Sequence, residues 1–241
     1  MSHPRDDKLA LPTSAPAVQT LFDRLAPRYD LLNHLFSLGL DYTWRWRTTR
    51  ALAPAVDGPL LDGATGSGDL ALDLARRYPQ RQVVGVDFSA GMLAMAPPKA
   101  ARAGAAARLD WVRGDLTALP FPDAAFAGAT VAFGVRNVMD RAQSLREFHR
   151  VLQPGARLLV LEFAMPTLPL FGPCYRFYFG RVMPVLADLA GMGAAYRYLF
   201  KSVNEFPSRD DFCAMLRQAG FTAVSARPFT LGTVVLYEGV A

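Results

Sequence analysis

The sequence is short of the residues from which disulfide and metal chemistry are made. It holds two cysteines, Cys174 and Cys213, and three histidines in 241 residues. Two thiols cannot build a disulfide framework or a four-ligand zinc site, and unpaired thiols suit a reducing compartment. No His, Cys and carboxylate set has metal-ligand spacing, so no catalytic metal is expected. Long apolar runs are missing too, which removes a membrane span. The stretch Met1-Ser2-His3-Pro4-Arg5-Asp6-Asp7-Lys8 has no apolar signal region, so nothing points to export. The net charge of +5 is scattered, not clustered, and forms no nucleic-acid stripe. It implies at most a weak attraction to anionic membrane surfaces. Charged residues make up only 20% against 51% hydrophobic, a globular composition long enough to bury a sizeable core.

What the chain does have is alternation. Residues 1–17 are polar and proline-spotted and read as a flexible arm. Residues 18–54 carry Val18, Leu21, Phe22, Leu25, Leu31, Leu32, Leu35 and Phe36 at helical spacing, an N-terminal helical lid. Buried strands are then expected at 59–62, 82–87, 109–113, 125–133 and 157–163. Helices are expected over 69–77, from the N-cap Ser89, and over 140–152. Pro97-Pro98 is expected to end or kink the second of these helices. Such an alternation predicts an α/β fold with a mostly parallel sheet covered on both faces. A helix over 210–219 precedes strands at 221–226 and 233–237. Their short link favours an antiparallel pair at the sheet edge. Residues 165–207 break the alternation with a run of aromatics and leucines, a helical insertion. Residues 18–241 thus read as one domain.

The most informative stretch is Asp62-Gly63-Ala64-Thr65-Gly66-Ser67-Gly68-Asp69. It follows a strand and opens a helix, where an open parallel sheet binds ligands. Its glycines permit a tight turn and close approach of a ligand to the backbone. About twenty residues later a strand ends at Asp87, the position of a carboxylate that accepts ribose hydroxyls. Gly66-Ser67-Gly68-Asp69-Leu70-Ala71 also fits the dinucleotide fingerprint. However, Asp62 at the site's mouth would repel a pyrophosphate and suit a cationic amino-acid ligand such as S-adenosylmethionine. No Tyr-x-x-x-Lys hydride-transfer pair is present. After the third strand, Asp115 is placed to accept from an exocyclic amine such as adenine's, and Leu116 to cover the ring.

Taken in order, these stretches resemble a known family. Asp62 to Asp69, Asp87 with Ser89-Ala90-Gly91-Met92-Leu93, Ala118-Leu119-Pro120-Phe121 and Phe133-Gly134-Val135-Arg136-Asn137 are similar to the quinone C-methyltransferases. These are the demethylmenaquinone methyltransferases and their ubiquinone-pathway relatives. Tyr29-Asp30-Leu31-Leu32-Asn33, Arg150 to Gly155, Leu161-Glu162-Phe163, Tyr198-Leu199 and Phe206-Pro207 extend the likeness over nearly the whole chain beyond residue 17. Departures are few: Gly63 stands where a larger apolar residue is common and suggests a looser cofactor wall. Pro97-Pro98 interrupts a usual helix, and Ala156 replaces a glycine.

The resemblance implies the Rossmann-like seven-strand methyltransferase sheet, mostly parallel with an antiparallel edge strand. It also implies S-adenosyl-L-methionine as cofactor, held by Asp62, Ala64, Gly66, Ser67, Gly68, Asp87, Asp115 and Leu116. The reaction implied is methylation of a ring carbon of a prenylated quinol. Demethylmenaquinol is the expected acceptor. A methoxy-benzoquinol of the ubiquinone pathway, or a non-catalytic nucleotide- or lipid-binding role, stays open. The carbon becomes nucleophilic when the neighbouring hydroxyl ionises, so the site needs alignment, a proton route and phenolate stabilisation. Arg136 and Asn137 are the candidates to hold the quinol oxygens; an arginine stays protonated and is no base. A helix cap with a structural ion pair is the plainer alternative for them. Tyr29 and Asp30 are candidates to close the site, Asp30 taking a proton through water, and Glu162 is a further acceptor. His149 and His34 read as structural. The aromatic insertion suits a polyprenyl tail, with Arg176, Arg181 and Arg197 at its rim, or simply packs on the sheet or on a second copy in a homodimer. The expected location is cytoplasmic, with peripheral contact to the inner face of the cell membrane as a further expectation.

Overall fold

A computed structural model describes residues 16, 18–20, 23, 37, 39–189 and 193–241, the last including 194 and 195 by backbone alone. Tyr29, Asp30 and His34 lie outside the described residues, as does most of the 1–17 arm. Seven strands form one sheet: β1 (Leu60–Gly63), β2 (Val83–Asp87), β3 (Leu109–Arg113), β4 (Phe126–Ala132), β5 (Leu152–Phe163), β6 (Thr222–Phe229) and β7 (Val234–Val240). Their order is β3-β2-β1-β4-β5-β7-β6. The first five are parallel, and β7 pairs antiparallel with both β5 and β6. The expected antiparallel pair does form the edge, and within it β7 is the reversed strand, slotted between β5 and β6.

Both faces of the sheet are buried, as crossover helices require. Along β5, Leu158 and Val160 join one core with Phe148, Phe212 and Leu216. Leu159 and Leu161 join the other with Trp44, Leu52 and Leu74. The strand period of two divides one apolar run between two cores, and each fully buried Leu or Phe contributes about 1.5–3 kcal/mol. Helices α1 (Leu40–Leu52), α2 (Asp69–Arg77), α3 (Ala90–Leu93) and α4 (Ala96–Arg102) precede β3 in the chain. Helix α5 (Arg141–Val151) links β4 to β5, and α9 (Arg209–Gln218) precedes β6. Between β5 and α9 come α6 (Phe171–Phe177), α7 (Met183–Leu189) and α8 (Gly193–Asn204). Side-chain caps start several of these helices: Ser89 accepts from the Met92 amide, Asp140 from Gln143 and Ser208 from Asp211.

Pro97 and Pro98 behave differently from expectation. The first helix stops at Leu93, before the prolines, and both lie in the first turn of α4. A first turn has no intrahelical acceptor for its amides, so prolines cost little there. Helix α6 runs through a π turn, Tyr178–Val182, directly into α7. The π turn stands just before Pro184, which has no amide to continue the ladder. Phe179 anchors this helix: it is buried, stacks on Tyr175 and meets Tyr196, whose hydroxyl donates to the Phe179 carbonyl at 2.6 Å.

Candidate active site

β1 and β4 are neighbours whose chains leave towards opposite ends of the sheet, β1 to β2 and β4 to β5. The loops beyond their carboxyl ends therefore part and leave a crevice. A cavity of about 300 Å³ occupies it. Ala64, Gly66, Asp87, Asp115 and Leu116 of the expected cofactor set line it, and so does Asn137.

The loop after β1 is held from below. Asp62 is buried; its two oxygens accept from the hydroxyls of Thr65 at 2.6 Å and Thr130 at 2.8 Å. Burial pushes its carboxyl up to about 7, against the pull of those hydrogen bonds. Ser67 is likewise buried and accepts from Lys99 Nζ at 2.8 Å, which also pairs with Asp69 at 2.8 Å. Gly68 takes φ +88°, and a side chain there would lie 2.7 Å from Trp111 and 2.9 Å from Ala96. Asp62, Ser67 and Gly68 thus lie under the loop and shape it, whereas Ala64 and Gly66 face the cavity. Gly63 leaves no gap. Its missing Cβ would sit 2.5 Å from Phe148 Cζ, so a phenylalanine of α5 fills the wall from behind.

Asp87 is buried at the end of β2 and grips both flanking segments. It accepts from the Gly66 amide at 2.8 Å and the Ser89 amide at 2.9 Å. Its pKa is raised, first by burial, with those amides working the other way. Asp115 is exposed and accepts from the amide and hydroxyl of Thr117, both at 2.8 Å. Asp140 is the third carboxylate on the lining, and among the described residues no lysine or arginine lines this cavity.

Arg136 lies elsewhere. It follows β4 in a 3-10 turn, Val135–Asn137, and is buried. Its guanidinium pairs with Glu162 Oε1 at 2.7 Å, donates to the Phe133 carbonyl and lies 5.5 Å from the Phe163 ring centre. Glu162 Oε2 also accepts from the Arg136 amide at 3.2 Å. Phe133 has φ +56°, unusual for a bulky side chain, and stacks on Phe163 at 4.4 Å. The expected arginine and the expected further acid are therefore an ion pair across β4 and β5.

Arg136 lines a second cavity of about 280 Å³ with Asn137, Arg141, Tyr198, Lys201 and Glu205. Asn137, Val138, Met139 and Val18 line both cavities. Tyr198 donates to Asn137 Oδ1 at 3.0 Å, and burial raises its phenol. Among the described residues, Arg141 Nε is buried with no hydrogen-bond partner. Sequence reasoning passed over Val18, Met92, Arg141 and Lys201. Met92 stood in a quoted stretch and Val18 in the helical spacing of the lid, while nothing in the local pattern marked Arg141 or Lys201. Val18 is buried, and Asp23 accepts from the Ser89 hydroxyl and the Gly91 amide, so described parts of the N-terminal segment touch the site. His149 packs edge-on against Phe221 at 5.1 Å, away from both cavities.

The profile of the "ubiE/COQ5 methyltransferase family" matches residues 11–241. A "Ubiquinone/menaquinone biosynthesis C-methyltransferase UbiE" of Syntrophotalea carbinolica is 49% identical over 91% of this chain and 92% of its own. A "Demethylmenaquinone methyltransferase" of Thermus thermophilus is 46% identical over 91% of this chain and 99% of its own. Among solved structures, a SAM-dependent methyltransferase of Thermotoga maritima superposes with TM-score 0.64 at 18% identity. That match covers 92% of this chain and 99% of the other and speaks for the fold.

Proposed function

The chain belongs to the ubiE/COQ5 methyltransferase family, and from that premise we propose that it methylates a ring carbon of demethylmenaquinol to give menaquinol. It is a quinone C-methyltransferase with S-adenosyl-L-methionine as methyl donor. The observation that carries the reading is the contrast between adjoining cavities. Among the described residues one is lined by Asp87, Asp115 and Asp140 with no lysine or arginine; the next holds Arg136, Arg141 and Lys201 against Glu205. Carboxylates suit a cationic sulfonium ligand and repel a pyrophosphate, while the cationic neighbour suits an oxygen that must become an anion.

The residues present fit the donor. Asp87 keeps lone pairs for ribose hydroxyls beyond the two amides it holds. Asp115 accepts from the adenine amine, Leu116 and Met92 cover the ring, and Ala64 and Gly66 offer backbone to the rest. Asp62, Ser67 and Gly68 hold that loop in shape. When bound, S-adenosylmethionine supplies an electrophilic methyl group. Asn137 bridges the cavities and holds the acceptor's oxygen, with its amide oriented by Tyr198. Arg136 acts through its field and by fixing the turn, since its guanidinium is engaged by Glu162. Glu162 is thereby the partner of Arg136 and not the proton acceptor. Tyr29 and Asp30 close the site, and Asp30 takes the proton through water. Of the 18–54 segment the part before α1 serves as the lid, because α1 is packed in the core through Trp44 and Leu52; 165–207 is the insertion of a single domain, 18–241, in which the prenyl tail follows the aromatic insertion.

Demethylmenaquinol is favoured as acceptor by the name of the Thermus relative; that of the Syntrophotalea relative also covers the benzoquinol of ubiquinone synthesis. Labelled S-adenosylmethionine with reduced demethylmenaquinone, beside a reduced methoxy-benzoquinone of matched tail, tests the choice. The expected outcome is label in the naphthoquinol at least tenfold faster. Label in the benzoquinol alone would overturn the acceptor, and label in neither would favour a binding role.

A further inference from the structure

Helix 171–189 presents two unlike faces. The inner stripe, Gly172, Phe179 and Ala187, is buried. The outer face carries Leu170 at the N-cap, then Phe177, Tyr178, Val182, Val185, Leu186 and Leu189, set one, three or four residues apart. These are large apolar side chains in water, with Leu170 88%, Phe177 67% and Leu189 82% exposed. Contiguous apolar surface of this kind marks an interaction site. No acidic residue occurs between Glu162 and Asp188, whereas Arg176 and Arg181 both fall within the span and are exposed. The one acid, Asp188, is paired with Arg197 at 2.7 Å. Among the described residues no helix is long and apolar enough to cross a membrane.

We propose that this outer face docks on an anionic phospholipid bilayer, lying in its interface with Arg181 at the headgroups and exposed Arg176 on the flank next to the inner stripe. An amphipathic helix with aromatic and leucine side chains on one face and arginines beside them has the composition that rests in an interface without spanning it. A second copy of the chain would cover the apolar residues but would bring the like charges of Arg176 and Arg181 together, so charge favours lipid. The inference deepens the proposed quinol reading, because a prenylated acceptor dissolves in the bilayer and α8, packed against this helix, carries Tyr198 and Lys201 of the second cavity.

Flotation of the full chain with vesicles of phosphatidylcholine and phosphatidylglycerol (seven to three), beside vesicles of phosphatidylcholine alone, tests it without quinol. The expected result is binding to the mixed vesicles and little to the neutral ones. Leu170→Asp with Leu186→Asp should abolish binding. Arg181→Ala should weaken it about fivefold, and Arg176→Ala by less. Circular dichroism and the melting temperature should stay unchanged in every variant, which shows that the fold persists. No flotation of the wild type, or flotation unchanged by the aspartates, would overturn the proposal. So would a dimer in vesicle-free buffer that the aspartates split. Failure of methyl transfer in the wild type would count against the quinol reading alone.

Discussion

Arg136 carries its charge where water hardly reaches, opposite a fully buried Glu162. Such a pair adds little net stability, because desolvation offsets the attraction, but losing one member strands the other. Arg136→Ala should therefore cost about 3–5 kcal/mol in urea unfolding, and Arg136→Met with Glu162→Leu should recover most of it. Additive losses in the double variant would contradict the pairing. Asp62 makes a different residue-scale prediction. Burial raises its carboxyl from 3.8 to about 7. Below pH 3.8 it is protonated in both folded and unfolded chains. As pH rises towards 7 the unfolded chain ionises first, so the stabilising contribution of the proton is lost across that window. At about 1.4 kcal/mol per pH unit the loss is about 4 kcal/mol in total. Asp62→Asn should flatten the fall in stability between about pH 4 and 7; identical slopes in variant and wild type would contradict the assignment.

At the scale of elements, Phe148 of α5 and Gly63 of β1 share one volume. Gly63→Ala would set its Cβ against Phe148 and, at 3.2 Å, against Leu116 on the donor cavity. Overpacking of this kind costs about 1–3 kcal/mol, and Phe148→Leu in the same chain should relieve it. Calorimetric melting checks both, and no cost for Gly63→Ala alone would mean that the wall is loose after all. This is where the sequence misleads: a missing side chain reads as a gap until the helix that fills it is seen. Pro97-Pro98 misleads for a related reason, since the same dipeptide closes a helix from inside and is tolerated at a start. The strands were readable because β-branched and leucine runs bounded by glycine and proline have few other uses.

Over the whole molecule, the legible part of the site is what backbone topology dictates. Loops after successive parallel strands must gather at one end of the sheet, so Gly66, Asp87, Asp115 and Asn137 could be brought together from sequence order alone. Tertiary partners carry no such local mark: Glu162 facing Arg136, Lys99 under Ser67, or Arg141 and Lys201 converging from two helices. The proposed arrangement puts the donor in the acidic cavity and the acceptor beside the basic one. Titration calorimetry with S-adenosylhomocysteine on wild type, Asp87→Ala and Tyr198→Phe tests it most directly. The expected loss is about 10- to 100-fold for Asp87→Ala, the worth of hydrogen bonds to a charged group, and less than threefold for Tyr198→Phe. Equal loss in both variants, or undiminished affinity in Asp87→Ala, would contradict it.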